Sequence, residues 1–458
     1  MEYLRIKETY KLREEPEGAI IFNCNVEKML NKIHKISKIE FAVLQLMNGQ
    51  FTKIELAEIY SQATGLDINT GKYYIESVVK KYEEYIEYLS EKNIRENLCI
   101  IRNSMGNKKF KFKSFHRLSS PLLLSLVLTY ECNCYCKYCF VNASKNNVEK
   151  NILEEKKVIN MIEESKRIGI AAINITGGDP FVRKDIYNII RKCIELDIEI
   201  NISTKERLTK NQIKKLKSIG LKNIQISLDS LDNNITKYLT GIENFSTDMV
   251  DTINNLICND INVTVNSVVT KLNINDIPKL IKKLNEMGVK RHFISPYLRT
   301  LGRHDEKLFP GENQYLKLDE FIKNYDGNIR IDYKSPNYNL TNENKLESIP
   351  RCSGGRMGIV VIPNGDVTIC ERLLDNKECI IGNINKNSIQ EIWEDKRIIE
   401  LIEPRREKFM GTECYICDHF DECILDKGLC YARCKIIYGN IYNKDPLCPK
   451  ESNTHRFI

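Results

Sequence analysis

Four cysteines fall within eight residues, Cys132-Asn-Cys134-Tyr-Cys136-Lys-Tyr138-Cys139, and no other feature constrains this chain as strongly. Three of them stand in a C-x3-C-x2-C spacing. Three thiolates on one short loop can hold three irons of a 4Fe–4S cube and leave the fourth iron without a protein ligand, which a reactive cluster needs. A zinc site would want a fourth ligand nearby. Cys134 could supply it only with awkward geometry, because alternate residues on a loop seldom converge.

Nine more cysteines lie between Cys352 and Cys448, leaving Cys24, Cys99, Cys193 and Cys258 scattered as small buried hydrophobes. The chain opens Met-Glu-Tyr-Leu-Arg-Ile-Lys, with no apolar signal segment, so the clustered thiols read as metal ligands in a cytoplasmic protein rather than as disulfides. The longest strongly apolar run, Pro121 to Tyr130, is about half of what a membrane span needs, so no membrane partner is expected.

At 458 residues, two or three domains are expected. The net charge of +7 is mild. Lys108, Lys109, Lys111, Lys113 and Arg117 form a local basic stretch, read as a solvated linker. Residues 1–95 begin with two strands, Glu8 to Arg13 and Ala19 to Cys24, around Glu-Pro-Glu-Gly. Helical patterns follow at Lys38 to Met47, Lys53 to Thr64 and Thr70 to Leu89; Asn48-Gly49 closes the first, and Thr52 with Glu55 starts the second as a capping box. This order predicts a small winged-helix-like module. Its second helix, Lys-Ile-Glu-Leu-Ala-Glu-Ile-Tyr, is too acidic to read phosphates, so a peptide is the expected partner and nucleic acid is not.

After a linker at 96–119, residues 120–310 alternate strand and helix. Strand candidates start near Leu122, Ala171, Ile198, Asn223, Ile261 and Arg291, with amphipathic helices at Leu153 to Arg167, Lys184 to Leu196, Thr209 to Ile219, Phe245 to Cys258 and Ile274 to Met287. Six βα units predict an α/β fold, a partial (β/α)6 TIM-like barrel, with the cysteine loop just after its first strand, where such folds place catalysis. A bridging segment, 311–350, leads to a cysteine-rich domain, 351–458. That domain has too little periodic apolar sequence for a large core and is expected to be organised by metal.

The C-x3-C-x2-C loop resembles the signature of the radical S-adenosylmethionine (SAM) superfamily. The resemblance implies a cluster held by Cys132, Cys136 and Cys139 that chelates SAM and cleaves it to a 5′-deoxyadenosyl radical, with Tyr138 near the adenine. Gly177-Gly178-Asp179-Pro180 resembles the family's glycine-glycine-glutamate element for the SAM amino group, with a shorter acid. Ser203, Ser227 and Asn266, at later strand ends, fall where the family holds the ribose and carboxylate; Thr204 and Asp229 stand beside them.

The C-terminal cysteines resemble the SPASM extension, which binds two auxiliary 4Fe–4S clusters. The resemblance implies Cys414, Cys417, Cys423 and Cys448 around an outer cluster and Cys352, Cys370 and Cys430 around an inner one. Cys379 or Cys434 is a possible fourth inner ligand, or an iron is left open for a substrate thiolate. Cys423 and Cys430 are three residues further apart than in the usual pattern. A zinc ribbon is the alternative for Cys414 to Cys423. Glu371 directly follows Cys370, where some relatives carry an acid proposed as a base.

Residues 1–95 resemble, in shape and order, the RiPP recognition element that pairs with a precursor peptide's leader. The reading is a peptide maturase of the ranthipeptide and sactipeptide kind, with three 4Fe–4S clusters and SAM. It acts on a ribosomally made precursor peptide, with flavodoxin or ferredoxin as electron donor, and forms a thioether from a cysteine to a neighbouring carbon. The alternatives are carbon–carbon cross-linking, oxidation of a protein serine or cysteine, and, more distantly, a metal-stabilised nucleic-acid-binding regulator.

Overall fold

The computed structural model describes residues 2–29, 33–102, 117–147, 149, 151–333, 335, 351–374 and 376–448. Lys108 to Lys113 of the basic stretch and residues 336–350 of the expected bridging segment lie outside them. The chain divides into two compact units. The first takes the described parts of 1–109 with 118–122 and 165–172; the second takes the rest.

The first unit holds β1 (Tyr3–Ile6), β2 (Tyr10–Glu15), β3 (Gly18–Asn23), β4 (Ile33–Ser37), β5 (Asn48–Thr52), β6 (Ile86–Leu89) and β7 (Cys99–Ile100). They form sheets in the orders β5-β1-β6 and β4-β3-β2-β7. Helices run over Lys38–Leu44, Lys53–Thr64 and Ile68–Lys81. The box of Thr52 and Glu55 starts the second, and a like box of Ser37 and Glu40 starts the first. Leu56, Ala57, Ile75 and Val78 pack with Leu4, Ile6 and Leu44 into one core.

Two expectations need correcting here. The pattern from Thr70 to Leu89 is not one helix: it stops at Lys81, and Ile86–Leu89 pairs antiparallel with β1, because Ile86 is buried only in that register. Asn48-Gly49 opens β5 instead of closing a helix. Gly49 has φ +90°, and a Cβ there would stand 1.9 Å from the Asn93 carbonyl oxygen, so the strand needs glycine. Arg13, wholly buried, donates to the carbonyls of Ser120, Pro121 and Gly169 at 3.2, 2.9 and 3.2 Å, which ties these later pieces of chain into the unit.

The second unit is organised by a ten-stranded sheet. Its strands are β8 (Leu123–Val127), β9 (Ala172–Thr176), β10 (Glu199–Thr204), β11 (Asn223–Ser227), β12 (Asn262–Val269), β13 (Arg291–Pro296), β14 (Arg330–Tyr333), β15 (Gly358–Val361), β16 (Asp366–Thr368) and β17 (Ile380–Asn383). Their spatial order is β14-β13-β12-β11-β10-β9-β8-β15-β16-β17. The six anticipated strands are present, and a seventh, β14, lies parallel to β13. Two further helices, Asn233–Thr240 and Glu312–Lys323, were not foreseen.

The C-terminal region was expected to have too little periodic apolar sequence for a large core, and it adds its strands to the sheet already present: β15 pairs parallel with β8, Val360 opposite Ser125, and β16 and β17 continue the sheet antiparallel. Its short apolar run Ile359 to Ile362, and Ile381, are buried because they extend an existing sheet.

One face of the parallel strands carries buried Ile173, Ile175, Ile202, Ile224, Ile226, Val263 and Val265, under helices such as Ile186–Glu195 and Phe245–Ile257. The other face carries half-buried Asn174, Asn201, Ser203, Gln225, Ser227, Thr264, Asn266 and Ser295. Parallel strands covered on both faces are apolar throughout. This alternation instead leaves a polar face beside the strand ends.

Candidate active site

The cysteine loop leaves β8 and is pinned at its root. The N–H groups of Gly178 and Asp179 donate to the carbonyls of Thr129 and Glu131 at 2.6 and 2.9 Å. Ser144 N–H donates to the Tyr130 carbonyl at 3.2 Å and Cys132 N–H to Ser144 at 3.3 Å, closing the loop. Its middle docks on the end of helix Asn233–Thr240, with Tyr135 and Lys137 N–H donating to Thr240 and Leu239 at 2.7 and 2.9 Å. Cys132, Cys134 and Cys136 are buried and Cys139 is half-buried.

Cys134 does not diverge as alternate loop residues were expected to. Its thiol hydrogen-bonds to Cys132 and Cys136, which raises its own pKa strongly. Cys136 is drawn down to about 7, first by the Cys134 hydrogen bond, against burial, with Lys205 and Arg303 adding positive charge. Cys139, pushed up by burial, has Cys136 among its electrostatic neighbours. Among the described residues, no three His, Cys, Asp or Glu side chains converge as they would around a single ion.

Gly177 and Gly178 pack against the root of the loop. Gly177 has φ +145°, and a Cβ on Gly178 would meet the Glu131 carbonyl oxygen at 2.0 Å. The loop's own backbone therefore demands glycine here. Asp179 is buried and committed: its carboxylate accepts from Thr204 Oγ1 at 2.8 and 2.9 Å, Lys205 N–H at 2.8 Å and Phe181 N–H at 3.0 Å. Burial pushes its pKa up to about 7 against those donors. This side chain thus ties the end of β10 to the loop after β9.

At the later strand ends, Tyr138 donates its hydroxyl hydrogen to Asp229 and accepts from Lys205 Nζ at 2.7 Å. Lys205 also pairs with Asp229 at 3.3 Å, and Asp229 accepts from Val268 N–H at 2.8 Å. Sequence reasoning missed Lys205, although it directly follows Ser203-Thr204. Ser203 stands opposite Gln225, and Ser227 opposite Asn266 on the neighbouring strand. Asn266 Oδ1 accepts from Ser295 Oγ at 3.0 Å.

The C-terminal cysteines gather into two groups. Cys370 is pushed up to about 12 by burial, with Cys352 and Cys430 among its electrostatic neighbours. Cys423 is likewise pushed up to about 12 by burial, with Cys414, Cys448 and Cys417 near it. Thiol-only sets of this kind fit iron–sulfur clusters. Cys434 neighbours Cys430, but its thiol donates to the Asn443 and Lys444 carbonyls at 3.4 and 3.8 Å. Cys379 is wholly buried, with Glu378 and Lys435 as its charged neighbours, and is not brought to either group. Of the scattered cysteines, Cys193 is buried, but Cys258 is exposed and Cys24 and Cys99 only half-buried.

Glu371, half-buried, accepts from Asn174 Nδ2 at 2.9 Å, and Asn174 Oδ1 accepts from Asn201 Nδ2 at 2.8 Å. The signal for these asparagines was in the sequence: polar residues at every second position of strands that should be apolar on both faces.

Residues 126–294 match the family model of the radical SAM superfamily, and residues 352–419 match SPASM, an iron–sulfur cluster-binding domain. Over 323 residues the chain is 26% identical to the mycofactocin maturase MftC of Mycolicibacterium smegmatis, covering 69% of this chain and 79% of that one. It is 24% identical over 340 residues to a PqqA peptide cyclase of Bradyrhizobium diazoefficiens, covering 72% and 86%. The fold is similar to that of Streptococcus suis SuiB bound to S-adenosylmethionine, with TM-score 0.67, 19% identity and coverage of 97% of this chain and all of that one. A structure of SuiB bound to the precursor peptide SuiA gives the same score. The chain is thus an enzyme that carries a radical SAM segment followed by an iron–sulfur cluster-binding SPASM segment.

Proposed function

We propose that this enzyme is a peptide maturase that installs a thioether between a cysteine and a neighbouring carbon of a ribosomally made precursor peptide. What supports the reading is the neighbourhood of the thiols of three sets in one unit: Cys132, Cys136 and Cys139; Cys352, Cys370 and Cys430; Cys414, Cys417, Cys423 and Cys448. Cys134 links Cys132 to Cys136, Cys136 neighbours Cys139, Cys352 and Cys430 neighbour Cys370, and Cys414, Cys417 and Cys448 neighbour Cys423. These would hold three 4Fe–4S clusters. When bound, the first of them with SAM supplies hydrogen-atom abstraction. The relatives support a peptide substrate, since their names are those of a maturase and a peptide cyclase, and SuiB is seen with a precursor peptide.

The chain's own residues would do the rest. The polar face formed by Asn174, Asn201, Gln225 and Asn266 offers hydrogen bonds suited to an extended peptide. Glu371 stands on that face as the group that would take a proton from the substrate. In the first unit, the sheets and three helices would dock the leader as a winged-helix-like recognition domain at 1–95, raising the local concentration of the core peptide. The inner group has three thiols, which would leave an iron open for the peptide's cysteine. Flavodoxin or ferredoxin would be the electron donor, in the cytoplasm.

The test is anaerobic reconstitution of the wild type and of a variant with Cys132, Cys136 and Cys139 changed to alanine, followed by incubation with SAM and a cysteine-containing precursor peptide. Deoxyadenosine release by the wild type alone, with loss of two hydrogens and of one free thiol from the peptide, supports the reading. Loss of two hydrogens with every thiol still titratable would replace the thioether by a carbon–carbon bond or an oxidised residue.

A further inference from the structure

Arg303 lies in the loop after β13, more than 160 residues from the cysteines in sequence, yet its guanidinium is wrapped by them. Nε donates to the Cys136 carbonyl at 2.8 Å, Nη2 to the Ala143 carbonyl at 2.5 Å and Nη1 to Asn142 Oδ1 at 3.0 Å. Its backbone N–H donates to the Cys139 carbonyl at 2.9 Å. The guanidinium also sits 4.0 Å from the centre of the Tyr135 ring. Gly302 completes the approach, since a Cβ there would stand 2.2 Å from the Cys139 carbonyl oxygen.

One planar cation therefore satisfies three acceptors spread over residues 136–143 and stacks on a fourth residue of the same loop. Only arginine has donors in that rigid fork; the ammonium of lysine is a compact point charge and cannot span them. The charge also neighbours the thiols of Cys136 and Cys139. We propose that Arg303 is a positioning residue for the cysteine loop, holding its backbone in the form that receives the cluster and keeping a fixed positive charge beside two of its thiolates. This rests on the reading of Cys132, Cys136 and Cys139 as cluster ligands.

Two consequences separate the geometry from the charge. Groups that orient metal ligands from outside change metal affinity by roughly 10–100-fold when removed. Net charge near the sulfurs helps set a cluster's reduction potential. A nearby cation favours the reduced, more negative cluster, so its loss lowers the potential.

The experiment compares wild type, Arg303→Gln, Arg303→Lys and Gly302→Ala after anaerobic reconstitution. It measures iron retained against a chelator and the midpoint potential of the SAM-binding cluster by electron paramagnetic resonance. The auxiliary clusters report on folding in the same sample. Expected is retention of the auxiliary clusters in all variants, with the first cluster about tenfold more easily stripped in each of them. The potential is expected to fall in Arg303→Gln and to stay near that of the wild type in Arg303→Lys. Wild-type retention in Arg303→Gln or in Gly302→Ala, an unchanged potential in Arg303→Gln, or loss of all clusters together in every variant overturns the inference. A wild type that holds no cluster on Cys132, Cys136 and Cys139 overturns the reading beneath it instead.

Discussion

The side-chain amide of Asn174, in the middle of β9, donates to Oε1 of Glu371 at 2.9 Å and so joins the radical SAM segment to the residue that follows Cys370. Asn201 holds the other end of that amide at 2.8 Å. Among the described residues Glu371 has no ion-pair partner, so this amide is what orients its carboxylate.

If Glu371 takes a proton from the substrate, Glu371→Gln slows peptide modification by about 10²–10⁴-fold. Deoxyadenosine release in the absence of peptide stays near the wild-type rate. Asn174→Leu is expected to give a smaller loss in turnover, with peptide-free SAM cleavage unchanged. Equal loss of peptide-free SAM cleavage in Glu371→Gln would assign the residue to cofactor binding instead.

His292 on β13 is wholly buried, with Nε2 2.8 Å from Ser267 Oγ. Burial drives its pKa from 6.5 down to about 3. Between those values the unfolded chain binds a proton that the folded chain excludes, so stability falls as pH drops through this window. The loss is about 1.4 kcal/mol for each pH unit of the shift. His292→Leu is expected to flatten the decline, read as the urea midpoint against pH. A slope identical to wild type contradicts this.

Trp393, the chain's single tryptophan, is buried, and the Arg117 guanidinium lies 4.5 Å from its ring centre while donating to its carbonyl and to that of Gly355 at 3.1 Å. Trp393→Ala removes the largest buried side chain and the ring beside the Arg117 guanidinium, whose backbone carbonyl partners remain. A loss of about 3–5 kcal/mol is expected in denaturant unfolding followed by circular dichroism. A loss below about 1 kcal/mol would mean that the site collapses around the smaller residue.

Iron content distinguishes the spare thiols. Cys430→Ser should lower bound iron by one cluster's worth, whereas Cys379→Ser and Cys434→Ser should not. Cys379 has no cysteine among its charged neighbours, and Cys434 already donates to two carbonyls. Iron loss in Cys379→Ser would make it the fourth inner ligand.

Local chemistry was legible from the sequence. The C-x3-C-x2-C spacing, the glycine pair, the Thr52 and Glu55 box and the order of six strands and five helices all depend on residues within a few positions of one another, and chain geometry alone couples them. Where a pattern could serve two structures, the sequence left the choice open. Thr70 to Leu89 has apolar residues for one long helix, but β1 offers Ile86 a buried partner strand and the helix ends at Lys81. Likewise Ile359 to Ile362 reads as too short for a core until β8 lies beside it.

The site's supporting residues were decided by tertiary structure. Arg303, Lys205, Asn174 and Asn201 carry no motif, and their roles arise because the sheet order brings strand ends and loops from distant sequence to one edge. The same packing set Asp179 against Thr204 Oγ1 and the Lys205 N–H, contacts that its motif does not foretell. Sequence determined which atoms could do the chemistry; the pairing of β8 with both β9 and β15 determined which of them meet.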